Sequence, residues 1–399
     1  MHRFCVRGAR LLCPSGSRPA TGHLCCWRAG SACGGAPSLQ SRQPALLALA
    51  APPLRLAAAA RWQSAAAATE EASGSSGRSP NPPPFVDETL RGFGQVVFCN
   101  SALSGALITS GLCYGDPWLA ALAAGGCASA TLTARLAGMD AGAVSSGLMG
   151  YNGALVGCAF SVFLGAPMAE PAVLATVIGG AASAYVTAAL SRVMTSVPQW
   201  TLAFNITALT ALVYVRPFAE AAPSAVSVVP MALSALGPGE WCSALLTGIS
   251  QIFVVNDPIA GALVLAGIAA YSRAAAAATL LGSALGIATA AAVGADAAEV
   301  TAGLWGFNPA LTALAISIFY VPLGGAPLAL ACGGAVASAL LTVVLKAVLG
   351  GALQVPCLTL PFCAVASGCH LLAGKAPGLV LAARPHSPEE NLRAFRAAQ

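Results

Sequence analysis

Two glutamines and two threonines, each set in otherwise apolar sequence, are the residues of this chain best equipped for chemistry. Gln95 and Gln251 each offer two donors and an acceptor, while Thr201 and Thr359 each offer one donor plus lone pairs. Val96 and Ile252 directly follow the glutamines, and Phe98, Tyr151 with Leu155, and Phe307 with Leu311 add aromatic and aliphatic surface. Each aromatic–leucine pair has i, i+4 spacing, which puts both side chains on one helix face. Such an uncharged set can stand in for water around a small neutral polar solute. A cation path would want carboxylates or stacked carbonyls, and a proton-coupled carrier would want ionisable groups within the apolar runs. Asp257 and Glu299 are the carboxylates that could serve there. No Ser/His/Asp or His-rich set lies in those runs, so the chain reads as a non-enzyme with no metal site and no cofactor.

The elements that must hold these residues are long, charge-poor and interrupted. Charged residues make up 8% of the 399, against about 25% in ordinary soluble chains. The apolar set reaches 57% without counting 43 glycines, which excludes both a soluble surface and disorder. The 19 Lys and Arg form no basic stripe, which argues against nucleic acid. Charge-free runs such as Pro117 to Ala134, Ala141 to Ala169, Pro171 to Ser191 and Val193 to Val215 approach the roughly 20 residues needed to cross a bilayer. The dyad alternation of an outer-membrane barrel is absent. The fold class is therefore an all-α membrane protein of about ten transmembrane helices. Small residues such as Gly179-Gly180-Ala181-Ala182 point to closely packed helices, and the cysteines within the spans read as small hydrophobes rather than a disulfide or zinc framework. Lys346 reads as a snorkelling interfacial residue, and Asn205-Ile206-Thr207, inside a span, as a chance match to a glycosylation acceptor.

Self-comparison exposes a repeat. Gln95-Val96-Val97-Phe98-Cys99-Asn100 is echoed by Gln251-Ile252-Phe253-Val254-Val255-Asn256 at a shift of 156. Gly105 and Gly261 stand at the same shift, as do Gly147-Leu148-Met149-Gly150-Tyr151-Asn152 and Gly303-Leu304-Trp305-Gly306-Phe307-Asn308. Val197-Pro198 with Thr201 and Phe204 recurs as Val355-Pro356 with Thr359 and Phe362 at 158. Asn256-Asp257-Pro258 and both Val-Pro pairs must interrupt helices, because proline lacks an N–H and clashes with the preceding turn. Broken helices at the interface of two membrane repeats are where transport proteins place their solute path. The organisation expected is residues 1–84 as targeting segment plus linker, 85–220 as the first repeat, 221–239 as a connection, 240–384 as the second repeat and 385–399 as a polar tail. Met1 to Thr69 carries eight arginines and no acidic residue, a composition of organellar targeting segments, with the plasma membrane as the alternative destination.

At this point the chain resembles the urea transporters. The resemblance rests on Gly94-Gln95-Val96 with Asn100 and Gly105; Gly150-Tyr151-Asn152-Gly153; Val197-Pro198 with Thr201 and Phe204-Asn205; and Gln251, Asn256-Asp257-Pro258, Gly306-Phe307-Asn308 and Pro356 with Thr359, Pro361 and Phe362. It implies two inverted five-helix repeats, each with a short re-entrant half-helix, assembled as a homotrimer in the lipid bilayer with one urea channel per protomer. It further implies that Gln95 and Gln251 sit at the two ends of a filter backed by a ladder of carbonyl oxygens, that Thr201 and Thr359 supply mid-pore hydroxyls, and that Phe98, Tyr151 with Leu155, and Phe307 with Leu311 form an apolar slot for planar molecules. The pattern is departed from at Ser101-Ala102, which replaces an Asn-Pro type pair, at Ala203, which replaces a proline, and at Val254, which faces Phe98 in the alignment of halves. The function expected is passive urea permeation. The alternatives are a proton-coupled carrier of a small neutral amide, or an ammonia or water channel.

Overall fold

The computed structural model describes residues 84–164, 169–215 and 236–399. Among these residues fifteen α-helices form and no strand does; Tyr320 and Leu381 make a lone antiparallel bridge. The first run comprises α1 (Pro84–Gln95), α2 (Ala102–Gly115), α3 (Pro117–Leu136), α4 (Ala141–Ser145), α5 (Tyr151–Phe163), α6 (Ala169–Val193) and α7 (Leu202–Val215). The second comprises α8 (Pro238–Ser250), α9 (Pro258–Tyr271), α10 (Arg273–Val293), α11 (Ala297–Thr301), α12 (Phe307–Phe319), α13 (Ala326–Ala352) and α14 (Leu360–Leu371), followed by α15 (Pro388–Ala397). The bounds of α2 and α9, of α4 and α11, and of α5 and α12 differ by 156 at both ends. Apart from Pro84, the targeting segment and linker expected over 1–84 lie outside the described residues, as does 221–235 of the expected connection.

The apolar sequence is divided less evenly than ten uniform spans. Helices α3, α6, α10 and α13 are each long and apolar enough to cross a membrane, and α8 with α9 qualifies as a further, broken span bent by 72°. Helices α2, α5, α7, α12 and α14 are apolar but only 12 to 14 residues long, about 20 Å of rise. The charge-free run from Ala141 to Ala169 holds two helices because the chain turns at Gly147, where φ is +78°. The run from Val193 to Val215 is cut where Trp200 takes φ +50°.

The breaks that follow α1 and α8 are built alike. After α1 the Val97 and Cys99 N–H groups both reach the Gly94 carbonyl, and after α8 the chain makes one 3-10 turn, Gln251–Phe253. Phe98 and Val254 then occupy the left-handed region at φ +60° and +62°, which costs a non-glycine residue about 1–2 kcal/mol. Ser101 caps α2 with φ −150° and ψ 123°, and Asp257 caps α9 with φ −151° and ψ 127°. The chain then folds back so closely that a Cβ on Gly105 would lie 1.8 Å from the Leu90 carbonyl oxygen, and one on Gly261 2.0 Å from that of Leu246. Helices α2 and α9 also pack on each other. Gly111 abuts the Ala260 backbone and Gly267 abuts the Ser104 backbone, a reciprocal contact in which each partner is the other's counterpart at a shift of 156.

The C-terminal segment is a docked helix rather than a simple polar tail. Val321 and Val380, and Ala382 and Phe319, are joined by backbone hydrogen bonds. Asn391 Nδ2 donates to the Ile318 carbonyl at 2.7 Å, and His386 stacks on Tyr271 with ring centroids 5.1 Å apart.

Candidate functional site

Gln95 ends α1 and Gln251 follows α8, so each leads the chain into a break. Their amides do one job: Gln95 Nε2 donates to the Ser146 carbonyl and Gln251 Nε2 to the Ala302 carbonyl, both at 2.8 Å. Ser146 and Ala302 close the short helices α4 and α11, so each glutamine ties its break to the turn that precedes α5 or α12. Val96 and Ile252 are buried in the shared apolar core.

That core joins both runs of helices and contains Tyr151, Leu155 and Leu311, with Phe98, Val254 and Phe307 packed against it. Phe98 lies edge-on to Trp200 and Phe319, with ring centroids 6.0 and 5.7 Å away, and is tilted against Phe362 at 6.3 Å. The Tyr151 hydroxyl donates to the Trp200 carbonyl, fixing the left-handed residue that precedes Thr201. Phe307 has no hydroxyl, and the corresponding Leu358 carbonyl accepts instead from Asn308 Nδ2 at 3.3 Å.

The two threonines meet. Thr201 Oγ1 and Thr359 Oγ1 are 2.7 Å apart and buried, although 158 residues separate them in sequence. Thr359 stands at the N-terminus of α14 without capping it; its hydroxyl also accepts from Asn205 Nδ2 at 2.8 Å. The threonines therefore do not spend their hydroxyls on their own helices, the usual fate of threonine in an apolar helix. Cys363 Sγ lies 3.2 Å from Thr201 Oγ1 and is the counterpart of Asn205. The burial of Asn205 and its bonds to Thr201 and Thr359 fit the chance reading of its glycosylation-like tripeptide.

Three residues of this region were not singled out as candidates from sequence. Asn152 Oδ1 accepts from the Phe204 N–H at 3.1 Å and Asn308 Oδ1 from the Phe362 N–H at 3.3 Å, so a buried amide orients each of α7 and α14. An asparagine inside an apolar run at the repeat shift was the available signal. Trp200 had none, since its counterpart is leucine.

The carboxylates weighed for proton coupling have local partners. Asp257 Oδ1 accepts from the Ala260 N–H at 2.7 Å as the cap of α9. Glu299 pairs with Lys346, which is thus in an ion pair rather than only snorkelling, and accepts from Trp305 Nε1 at 3.2 Å. Among the described residues no group of three or more His, Cys, Asp or Glu could hold a metal ion, and the nine described cysteines are free.

Residues 86–375 match the family model described as urea transporter. Urea transporter 1 of Ovis aries and that of Capra hircus are each 33% identical to the chain over 333 residues, covering 77% of this chain and 82% of the relative. Urea transporter 1 of Rattus norvegicus is 33% identical over 264 residues, covering 62% of this chain and 67% of the relative. A match of that extent, over both runs of helices and every break described above, makes this chain a member of the urea transporter family.

Proposed function

We propose that the protein passes urea passively through a narrow path between its two runs of helices, and that it is not an enzyme. The observation that carries the location is the contact of Thr201 with Thr359 at 2.7 Å. When a residue meets its own counterpart, a two-fold axis passes through that point, and the reciprocal contacts of α2 with α9 support the same operator. An axis in the membrane plane makes the two halves inverted five-helix repeats, with each break a re-entrant half-helix and the paired threonines at the midplane.

Along such a path the roles follow from the atoms that remain available. Each glutamine uses an amide N–H to hold the neighbouring turn, leaving its Oε1 to accept from a urea N–H at either end of the filter. The carbonyls of the breaks, around Val96 and Ile252, continue that acceptor row. The threonine hydroxyls accept and donate by rotation at the centre. Phe98, Tyr151 with Leu155, and Phe307 with Leu311 form the apolar walls that admit a flat molecule edge-on. A bare amide loses several kcal/mol on leaving water without partners, and this row of acceptors supplies them stepwise. An ion would lose far more than a neutral row returns. Further parts of the proposal are assembly as a homotrimer and, from the Arg-rich start of the sequence, residence in an organelle membrane.

The test is stopped-flow urea entry into proteoliposomes. Flux linear in the urea gradient and indifferent to an imposed pH gradient is expected, with Gln95→Glu, Gln251→Ala and Thr359→Val each changing permeability. Saturating uptake driven by a pH gradient would replace the channel with a carrier, and equal flux in all three variants would move the path elsewhere.

A further inference from the structure

Beside Phe98 the side chains of Trp200, Ala315, Ile316, Phe319, Ala366 and His370 close around a seam that leaves no room for a water molecule. The His370 ring is edge-on to Trp200 and to Phe319, with centroids 6.1 and 5.9 Å away, and both of those rings pack on Phe98. The other polar groups here are satisfied: Trp200 Nε1 donates to Ser367 Oγ at 2.9 Å, and the Tyr320 hydroxyl donates to the Cys369 carbonyl at 2.6 Å. His370 Nδ1 is buried and has no hydrogen-bond partner. A buried ring nitrogen without a partner is costly in a finished core, and it is an acceptor open to a solute for which the surrounding side chains part. The opposite half has no equivalent. The counterparts of Phe98, Trp200 and His370 are Val254, Leu358 and Leu212, all aliphatic.

We propose that His370 is a further solute-contacting residue, an acceptor for a urea N–H that is present at the Phe98 end of the path alone. The proposal rests on the channel reading above. With the ring neutral and the proton on Nε2, Nδ1 accepts from one urea N–H, and the Trp200 and Phe319 rings, packed on each other with centroids 4.9 Å apart, move aside to admit the molecule. The path is therefore chemically one-sided, with an imidazole and an indole at one end and only aliphatic groups at the corresponding places in the other half.

Urea permeability should be measured by stopped flow in proteoliposomes of matched protein content, for the wild type, His370→Leu and His370→Asn, with melting temperatures recorded for each. Leucine reproduces the opposite half, and asparagine restores an acceptor near the Nδ1 position. The expected result is a roughly fivefold fall for His370→Leu, the worth of one net hydrogen bond, with His370→Asn within about twofold of wild type. If the leucine variant does not fold, His370→Phe takes its place as the apolar arm. Equal flux in all variants, or equal losses in the apolar and asparagine variants, would overturn the proposal while leaving the channel in place. Wild-type vesicles no faster than protein-free ones would instead overturn the channel reading, and this inference with it.

Discussion

The two runs of helices share the turns at their breaks but not the side chains that build them. Both breaks pass through a left-handed residue, but it is Phe98 in the first and Val254 in the second. Both are followed by a capped helix, but serine caps α2 without a proline, whereas Asp257 caps α9 and is followed by Pro258. Both loops before the paired threonines hold a left-handed residue whose carbonyl is bonded, by the Tyr151 hydroxyl in one half and the Asn308 amide in the other. Even the starts of the next long helices differ in this way. Asp116 caps α3 by accepting from the Trp118 and Leu119 N–H groups. In the second half Ser272 takes the latter role, and the carboxylate comes from the C-terminal segment, Glu389 accepting from the Ala274 N–H at 3.0 Å. The difference teaches that the breaks are specified by backbone turns and close helix contacts, while the side chains that line them are free to diverge.

The comparison can be broken where the halves are held to be identical. Gly105→Ala and Gly261→Ala each put a methyl within 2.0 Å of a backbone oxygen, a clash that neighbouring backbone cannot easily relieve. Both are expected to cost about 3 kcal/mol or more and to lower the melting temperature in detergent sharply and alike. Gly125→Ala, with nothing within 4 Å of its added carbon, should leave it unchanged. A large loss from only one of the pair would mean that the breaks are not equivalent.

Where the halves differ, the effects should be unequal. Tyr151→Phe removes one hydrogen bond to the Trp200 carbonyl and should cost about 1 kcal/mol. Asn308→Leu strips the Leu358 carbonyl, the Phe362 N–H and Thr342 of a partner together and should cost more, about 2–3 kcal/mol. Thermal unfolding of the two variants side by side checks the order.

The smallest effect belongs to the borrowed carboxylate. Burial alone would raise the Glu389 carboxyl, but hydrogen bonds from Ser272 and the Ala274 N–H outweigh it and hold the group below its ordinary value of 4.5. A carboxyl depressed in the folded state stabilises above that ordinary value, and the contribution fades as pH falls through the folded one. Hydrogen exchange at the start of α10 and protease cleavage of the C-terminal segment should both rise on acidification toward pH 4 in the wild type. In Glu389→Gln they should be raised already at neutral pH, with less than about 1 kcal/mol lost.

Much of this architecture was legible in the residues. The shift of 156 predicted the equivalence of the breaks because identical turns need the same glycines, and Gly105 with Gly261 shows why no other residue fits there. Helices α7 and α14 begin within a few residues of Pro198 and Pro356, as those prolines require. The uneven division of the spans was not legible, since a charge-free run does not reveal a left-handed Trp200 inside it. The partners of the glutamine amides were also hidden, because the Ser146 and Ala302 carbonyls are backbone atoms that any residue supplies. The Thr201–Thr359 contact lies between them in kind. Both residues were singled out for their hydroxyls, but their pairing depends on how the halves face each other.

That contact offers the most direct trial of the central claim. In a Cys363→Ala background, Thr201→Cys and Thr359→Cys together place two thiols where hydroxyls now sit 2.7 Å apart, and oxidation should join them across the two halves. Urea entry into proteoliposomes, measured by stopped flow before oxidation, after it and after reduction, is expected to stop when mass spectrometry shows the bridge and to return when the bridge is reduced. Unchanged urea flux through a fully bridged protein would contradict a path at this point.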